Sequence, residues 1–275
     1  MQKNKIGVGI ITCDREDFFK KAAKSLRNAL ENYSDSEIIV VNDGYERLET
    51  PNIHCVKTTG KIGVGKAKNI ALDYLIDKDC EHIFLMEDDI EIIDPNVFNE
   101  YIKTSNVTGV KHLNYGLHGN HNQDAYGNPT VRKTVNYPDN TKLDLYPNLL
   151  GAFSYFHVSV LDEVGLIDEE FYNAMEHVDH TYRIINAGYH PPFRWFADVH
   201  GSNKMLKDIV PDHEQSKIRN EANFQEIFKK GLDLFIWKWG FSVVHGYGPI
   251  EKKISEQETL EKLKQIWKSH QQTLE

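Results

Sequence analysis

The strongest constraint on how this chain can fold is an alternation repeated through its first third. Strand-length apolar runs, "KIGVGIIT", "EIIVVND" and "HIFLME", are separated by segments whose apolar residues recur at helical spacing. A weaker run, "NIHCVKT", supplies a further strand after the second. Phe18, Phe19, Ala22, Ala23, Leu26, Leu30 and Tyr33 share one helical face, and Ala67, Ile70, Ala71, Tyr74 and Leu75 share another. A strand that is apolar throughout must be covered on both faces, so the pattern predicts an α/β fold: a mostly parallel central sheet flanked by helices. Ligands of such sheets bind beyond the carboxyl ends of the strands. Here those ends carry polar groups: Thr12 to Arg15, Asn42-Asp43, the loop from Thr58 to Gly65, and Glu87 to Asp89.

The rest of the chain is less regular. Asp14 fits a helix N-cap, with acids at 16 and 17 behind it. Asp94-Pro95 reads as a cap followed by a first-turn proline. "VTGVKHLNY", "LLGAFSYFHV" and "FRWFADVHG" read as strands, and Glu176 to Ala187 as a helix with Val178, Tyr182 and Ile185 inward, stopped by Gly188. Residues 114–147, rich in Gly, Asn, Pro and Tyr, are expected to form a functional loop or lid. After Pro211 comes a polar, helical tail interrupted by the aromatic "LFIWKWGFSVVHGYG". Its last helix puts Leu260, Leu263, Trp267 and Leu274 on one stripe, which predicts docking rather than a coiled coil. The expected organisation is a domain over 1–210, split near 95 into two halves, with a mainly helical extension over 211–275.

Charge and cysteine usage narrow the function. A net charge of -9 argues against a non-specific nucleic-acid binder, which needs a basic face. Cys13, Cys55 and Cys80 are scattered, with no CxxC spacing, which suits a reducing compartment and neither a disulfide framework nor a zinc ribbon. The N-terminal apolar run is too short to span a membrane. The expectation is a soluble, cytoplasmic protein whose tail is open to a membrane surface or an oligomer contact.

The acids Glu87, Asp88 and Asp89 close an apolar strand, where like charges repel and desolvation is costly. A solvated turn is the bland reading; a Mg²⁺ or Mn²⁺ site built from hard oxygen ligands and holding a diphosphate is the functional one. "GKIGVGKAK" matches most of a phosphate-binding Walker loop, with Gly60, Gly65 and Lys66 in place, and so raises an NTPase as competitor. However, Ala67 stands where a metal-binding hydroxyl is required, and the loop follows the third strand rather than the first. Asp43-Gly44 alone is an ordinary turn, though a carboxylate there could accept the ring N–H of a uracil. Glu176, Asp179, His180 and Arg183 fall at helical spacings, either as an exposed face with an Asp179–Arg183 pair or as a general base near the metal. His177 and His180 lack the HExxH order of a zinc site, and His200 following a strand could join carboxylates around Mn²⁺.

Together these residues resemble a family 2 glycosyltransferase of the GT-A fold. The first strand ends in "TCDR", with Thr12, Asp14 and Arg15, and the second in Asp43 of "VNDG", where the family's Asp contacts the base. "GVGKAKN" resembles the family's Gly-rich loop, with Gly63 and Asn69 matching and Lys68 where Arg is usual. "EDD" resembles the DxD-type metal motif, with Asp89 as the implied metal ligand and Glu87 and Asp88 on the donor. Glu176, Asp179, Arg183 and "NAGY" match the later acidic pattern, but His177 occupies the position usually held by the catalytic Asp. His200 matches a late histidine that completes the metal site in several members. The resemblance, over about residues 5–201, implies inverting, Mn²⁺- or Mg²⁺-dependent transfer of a sugar from a nucleotide donor, UDP foremost, to a glycan or glycoconjugate hydroxyl in polysaccharide or glycoconjugate synthesis. Glu176 is the first candidate for the base, then Asp179, with His177 third. The His177 departure also keeps open a catalytically inactive nucleotide- or glycan-binding module.

Overall fold

The computed structural model describes residues 5–50, 53–209 and 220–274. A six-stranded sheet at its centre has the order β3-β2-β1-β4-β9-β6. Strands β1 (Ile6–Thr12), β2 (Ser36–Asn42), β3 (His54–Lys57) and β4 (His82–Glu87) are mutually parallel. Ile6, Val8 and Ile10 point to the layer containing helix α1 (Glu16–Leu30), whose Phe19, Ala22, Ala23 and Leu26 are buried there. The opposite face of β1 is nearly bare because it carries Gly7 and Gly9. A Cβ on Gly9 would lie 2.7 Å from Cβ of Ala71, so helix α2 (Val64–Asp77) packs directly on the strand backbone.

The expected mostly parallel sheet flanked by helices is present, with four details that the sequence reading did not contain. Asp14 does not cap α1. It has φ 51°, and its Oδ1 accepts hydrogen bonds from the N–H groups of Tyr45 (2.7 Å) and Glu46 (3.0 Å), which ties the β1 loop to the β2 loop. A side chain on Gly44 would run into Asp14, with its Cβ 2.2 Å from Oδ1. Asp94 caps a turn at Asn96, and α3 (Val97–Thr108) begins only after it. The 107–115 stretch opens with the last two residues of α3 and its Gly109 C-cap, which leaves a short β6 (His112–Asn114). Strand β9 (Phe153–His157) lies between β4 and β6, antiparallel to both.

Residues 114–147 are not a structureless lid. They contain β7 (Lys133–Asn136) and β8 (Lys142–Tyr146), which form an antiparallel sheet with β10 (Phe196–Val199). Leu143, Leu145 and Tyr146 of β8 are buried, so part of the apparent loop is core. A two-stranded ladder joins β5 (Ile90–Ile92) to β11 (Leu206–Asp208).

Helix α4 (Val158–Val164) follows β9, and α5 (Glu176–Asn186) occupies the position read from the sequence. The expected boundary at 210–211 lies outside the described residues. Of the tail, α6 (Phe224–Trp239) packs its Phe235 into a cluster with Val178, Phe193 and Phe196. Helix α7 (Glu256–Leu274) docks on α3, with Leu263 buried and the Asn106 carbonyl 2.6 Å from His270 Nε2.

Candidate active site

The three acids that end β4 have three different environments. Asp88 is buried: Thr12 Oγ1 donates to its Oδ2 at 2.6 Å, and the Arg15 guanidinium pairs with both of its oxygens. Burial pushes its pKa up to about 7, although Arg15 pulls the other way. Arg15 Nη2 also donates to Asp89 Oδ2 at 3.1 Å, whereas Asp89 Oδ1 is buried and accepts no hydrogen bond from the described residues. Glu87 turns to the other side, where its Oε1 accepts from Lys68 Nζ at 3.1 Å. One cation thus neutralises Asp88 and Asp89, another serves Glu87, and among the described residues the buried Asp89 Oδ1 is left without a partner.

Lys68 connects the acid turn to the start of α5. It is 3% exposed, and its Nζ also donates to Glu176 Oε1 at 3.2 Å and to the Gly151 carbonyl at 3.4 Å. Burial disfavours the ammonium, but Glu87 and Glu176 outweigh it and hold the Lys68 pKa at about 12. Burial likewise disfavours ionised Glu176, yet Lys68 and His177 bring its pKa far below the usual carboxylate range. The second partner of Glu176 is His177, with Nδ1 3.1 Å from Oε1. Because an ionised carboxylate only accepts, this contact places the proton on Nδ1 and makes Nε2 the acceptor. The imidazole fits because residue 151 is glycine: a Cβ there would come 2.8 Å from its Cγ.

Asp43, at the end of β2, is 6% exposed and organises the next loop. Its Oδ1 accepts from Thr58 Oγ1 and the Ile62 N–H, both at 2.8 Å, and its Oδ2 from the Gly63 N–H at 3.0 Å. Gly63 has φ 101°, and its Cα faces the Tyr172 ring so closely that a Cβ would lie 2.5 Å from it. The first free N–H of α2, on Val64, is taken by Asn173 Oδ1 at 2.9 Å, which brings this helix end beside the segment leading into α5.

A cavity of about 470 Å³ opens at these strand ends. Of the residues singled out from sequence, Thr12, Arg15, Asp43, Glu87, Asp88, Asp89, Glu176 and His177 line it. Asp14, Gly63 and Lys68 stand behind that wall and hold its parts in place. Three others lie elsewhere. Asn69 spends its amide on the backbone of Ile167 and on Glu169. Asp179 is fully buried beneath α6, accepting from Arg183 Nε (3.1 Å), Trp239 Nε1 (2.8 Å) and Lys238 Nζ (2.9 Å). His200 does not line the cavity, and its Nδ1 lies 3.0 Å from Asp144 Oδ2. The Walker-like Lys66 extends to Glu169 on the surface, 3.8 Å away, and cradles nothing at the sheet. The zinc candidate His180 is buried against the Gly165 carbonyl.

Sequence reasoning missed His118, which lines the same cavity. Its Nδ1 lies 2.9 Å from Asp208 Oδ1, and Asp208 sits on the strand paired with β5, beside the acid turn. Burial opposes its protonation, but the bond to Asp208 and the nearby charges of Asp89 and Glu87 raise its pKa overall. Its only signal in the sequence is the spacing His118-Gly-Asn-His121 within a stretch read as loop. Among the described residues no three His, Cys, Asp or Glu side chains form a ready-made metal cage. The hard cations need none: Mg²⁺ is typically held by one or two carboxylates together with substrate phosphates. The partnerless buried Asp89 Oδ1 fits one such ligand.

No protein-family model matches the sequence, and no curated protein does. Solved structures do. The mannosyltransferase PcManGT from Pyrobaculum calidifontis, in complex with GDP-Man and Mn²⁺, superposes with a TM-score of 0.52 at 11% identity, over 76% of this chain and 58% of that one. Residues 1–349 of S. aureus TarS give 0.53 at 15% identity, over 95% and 80%. A Drosophila β-1,4-galactosyltransferase 7 mutant, in complex with manganese, UDP-Gal and xylobiose, gives 0.51 at 14% identity, over 82% and 79%. The chain spans 58% of PcManGT and 46% of a longer TarS chain. At such identities the likeness is one of architecture, and on it the chain has the GT-A-type α/β fold found in nucleotide-sugar glycosyltransferases.

Proposed function

We propose that this protein is a metal-assisted, inverting glycosyltransferase of the family 2 type. It would move a hexosyl or N-acetylhexosaminyl group from a UDP-linked donor to a hydroxyl of a glycan or glycoconjugate acceptor, in polysaccharide or glycoconjugate synthesis. The observation that carries this reading is one cavity that takes in Asp43, Asp88 and Asp89 on one wall and Glu176 and His177 on the other. Asp89, with His118 beside it, would hold the divalent ion, which supplies Lewis-acid stabilisation of charge on the departing diphosphate. Asp43 and the loop it organises would receive the nucleotide.

His177, rather than Glu176, is the base in this proposal. A general base works best with a pKa near the working pH, and Lys68 holds Glu176 too far below it. Glu176 instead fixes the imidazole with its proton on Nδ1. Nε2 then takes the acceptor hydroxyl proton as the oxygen bonds to the anomeric carbon. The bond from that carbon to the diphosphate oxygen breaks on the opposite face, and its electron pair leaves with the diphosphate. Ionised Glu176 stabilises the imidazolium that forms, as a carboxylate does in a hydrolase triad.

The test is a panel of UDP-, GDP- and dTDP-sugars, read as thermal stabilisation and as Mn²⁺-dependent release of nucleoside diphosphate. A UDP-sugar that stabilises the protein and is turned over, with EDTA abolishing turnover, is the expected result. Absence of binding across the panel, or full turnover in EDTA, overturns the proposal.

A further inference from the structure

The cavity changes character past His177. Its carboxylate-lined end gives way, beyond Met175 and Val178, to a wall made by Phe193, Phe196, Phe224, Phe228, Val243 and Val244. Phe193 and Phe196 are 4% and 3% exposed and are backed by Phe235 and Phe241, so the surface is rigid core rather than loose side chains. Phe224 and Phe228 come from α6, and Val243 and Val244 from the segment that follows it. The cation at this end, Arg194, is already engaged: its Nη2 donates to the Val243 carbonyl at 2.5 Å, and its guanidinium lies 5.4 Å from the centre of the Phe193 ring.

We infer that this aromatic end receives an apolar aglycone, an alkyl or aryl group carried by the acceptor next to the sugar whose hydroxyl reacts. The inference rests on the glycosyltransferase reading and names its acceptor class. The donor is not assigned to this end, because its diphosphate needs a metal or a free cation: the proposed metal ligand Asp89 lies at the other end, and Arg194 here is engaged. A further sugar unit is disfavoured too, since each buried hydroxyl left without a partner costs about 1–3 kcal/mol. Each methylene buried there instead gains about 4-fold in affinity, equivalent to ~0.8 kcal/mol. The reacting hydroxyl sits at His177, and the chain beyond it leads away from the donor.

The inference is tested by calorimetric titration of the full chain with matched methyl and hexyl β-D-pyranosides of glucose, galactose and N-acetylglucosamine. At least one hexyl glycoside is expected to bind ~10-fold or more tighter than its methyl partner, as the per-methylene gain predicts. Phe228→Asn and, independently, Val244→Asn should reduce that preference to 2-fold or less, by about the same gain lost. Both sites are partly exposed, so the variants are expected to fold, which their thermal unfolding checks. Equal binding of methyl and hexyl glycosides throughout, or a hexyl preference that survives both substitutions in folded protein, overturns the inference. A separate titration of the wild type with UDP and Mn²⁺ tests the parent reading: its failure leaves UDP unbound, while failure of the acceptor inference leaves UDP binding intact.

Discussion

Replacing Lys68 with Met isolates the ion network that joins the two walls of the cavity. Met is close in length and apolar, so packing is largely kept while the charge is removed. Glu176, with a side chain 5% exposed, then loses its Lys68 partner, whereas Glu87, 29% exposed, can turn to water. Breaking a buried pair by removing one partner costs about 3–5 kcal/mol. At ~2–4 °C per kcal/mol for a chain approaching this size, the Tm should fall by roughly 10 °C. The double variant K68M/E176Q should recover most of that loss, because the glutamine leaves no buried charge behind.

The pH dependence gives a second readout with a definite sign. The folded Glu176 pKa is depressed, so its contribution is present above the unfolded value of about 4.3 and fades as pH falls toward the folded one. The folded Lys68 pKa is raised, so its contribution is complete below about 10.4 and fades as pH rises through about 12. Between roughly pH 5 and 10 the wild type has the full benefit. In K68M, burial without a cation pushes Glu176 up, so the carboxyl can protonate at mildly acidic pH and relieve the strain. The Tm gap between wild type and K68M, measured by calorimetry from pH 5 to 8, should therefore widen as pH rises. A gap under ~2 °C, one independent of pH, or no recovery in K68M/E176Q would refute the network as described.

Other expected outcomes follow from single contacts. His177→Asn should lower kcat by ~10²-fold or more with little change in donor KM; an unchanged rate in steady-state assays would place the base elsewhere. Gly151→Ala sets a Cβ 2.8 Å from His177 Cγ and 3.1 Å from Nδ1, so it should displace the ring and cut kcat, with ~1–3 kcal/mol of destabilisation from overpacking visible in denaturant titrations. Asp89→Asn should weaken Mn²⁺ binding ~10-fold or more by electron paramagnetic resonance, without lowering the metal-free Tm, because it removes the like charge beside Asp88. His118→Ala should weaken Mn²⁺ binding more than His200→Ala does, and the reverse order would return the metal to His200.

The parallel half of the fold is legible because its signal is local. A run such as "KIGVGIIT" has to be a covered strand, and the helices between such runs fix its direction. Strand β9 looks the same in sequence, yet its antiparallel course depends on α3 and the β7–β8 hairpin before it, which local periodicity does not report. Among site residues, those at strand ends were readable because strand order alone gathers them. Asn69 and Asp179 had the right spacing, but Ile167 and α6 claim them, and those partners are remote in sequence. His118 went unread for the opposite reason: its position depends on Asp208, 90 residues later.

The ties between α5 and α6 also set an order of events during synthesis. Domains fold as the chain emerges at about 5–20 residues per second, N-terminal parts first. When α5 emerges, Arg183 is the cation within its own helix for Asp179; Lys238 and Trp239 are still to be made. Phe193 and Phe196 likewise wait for Phe235 before they are covered. A nascent chain that has completed every residue of the acid turn and the His177 pair therefore still exposes an aromatic surface, and the wall carrying the proposed base becomes rigid only when the tail arrives.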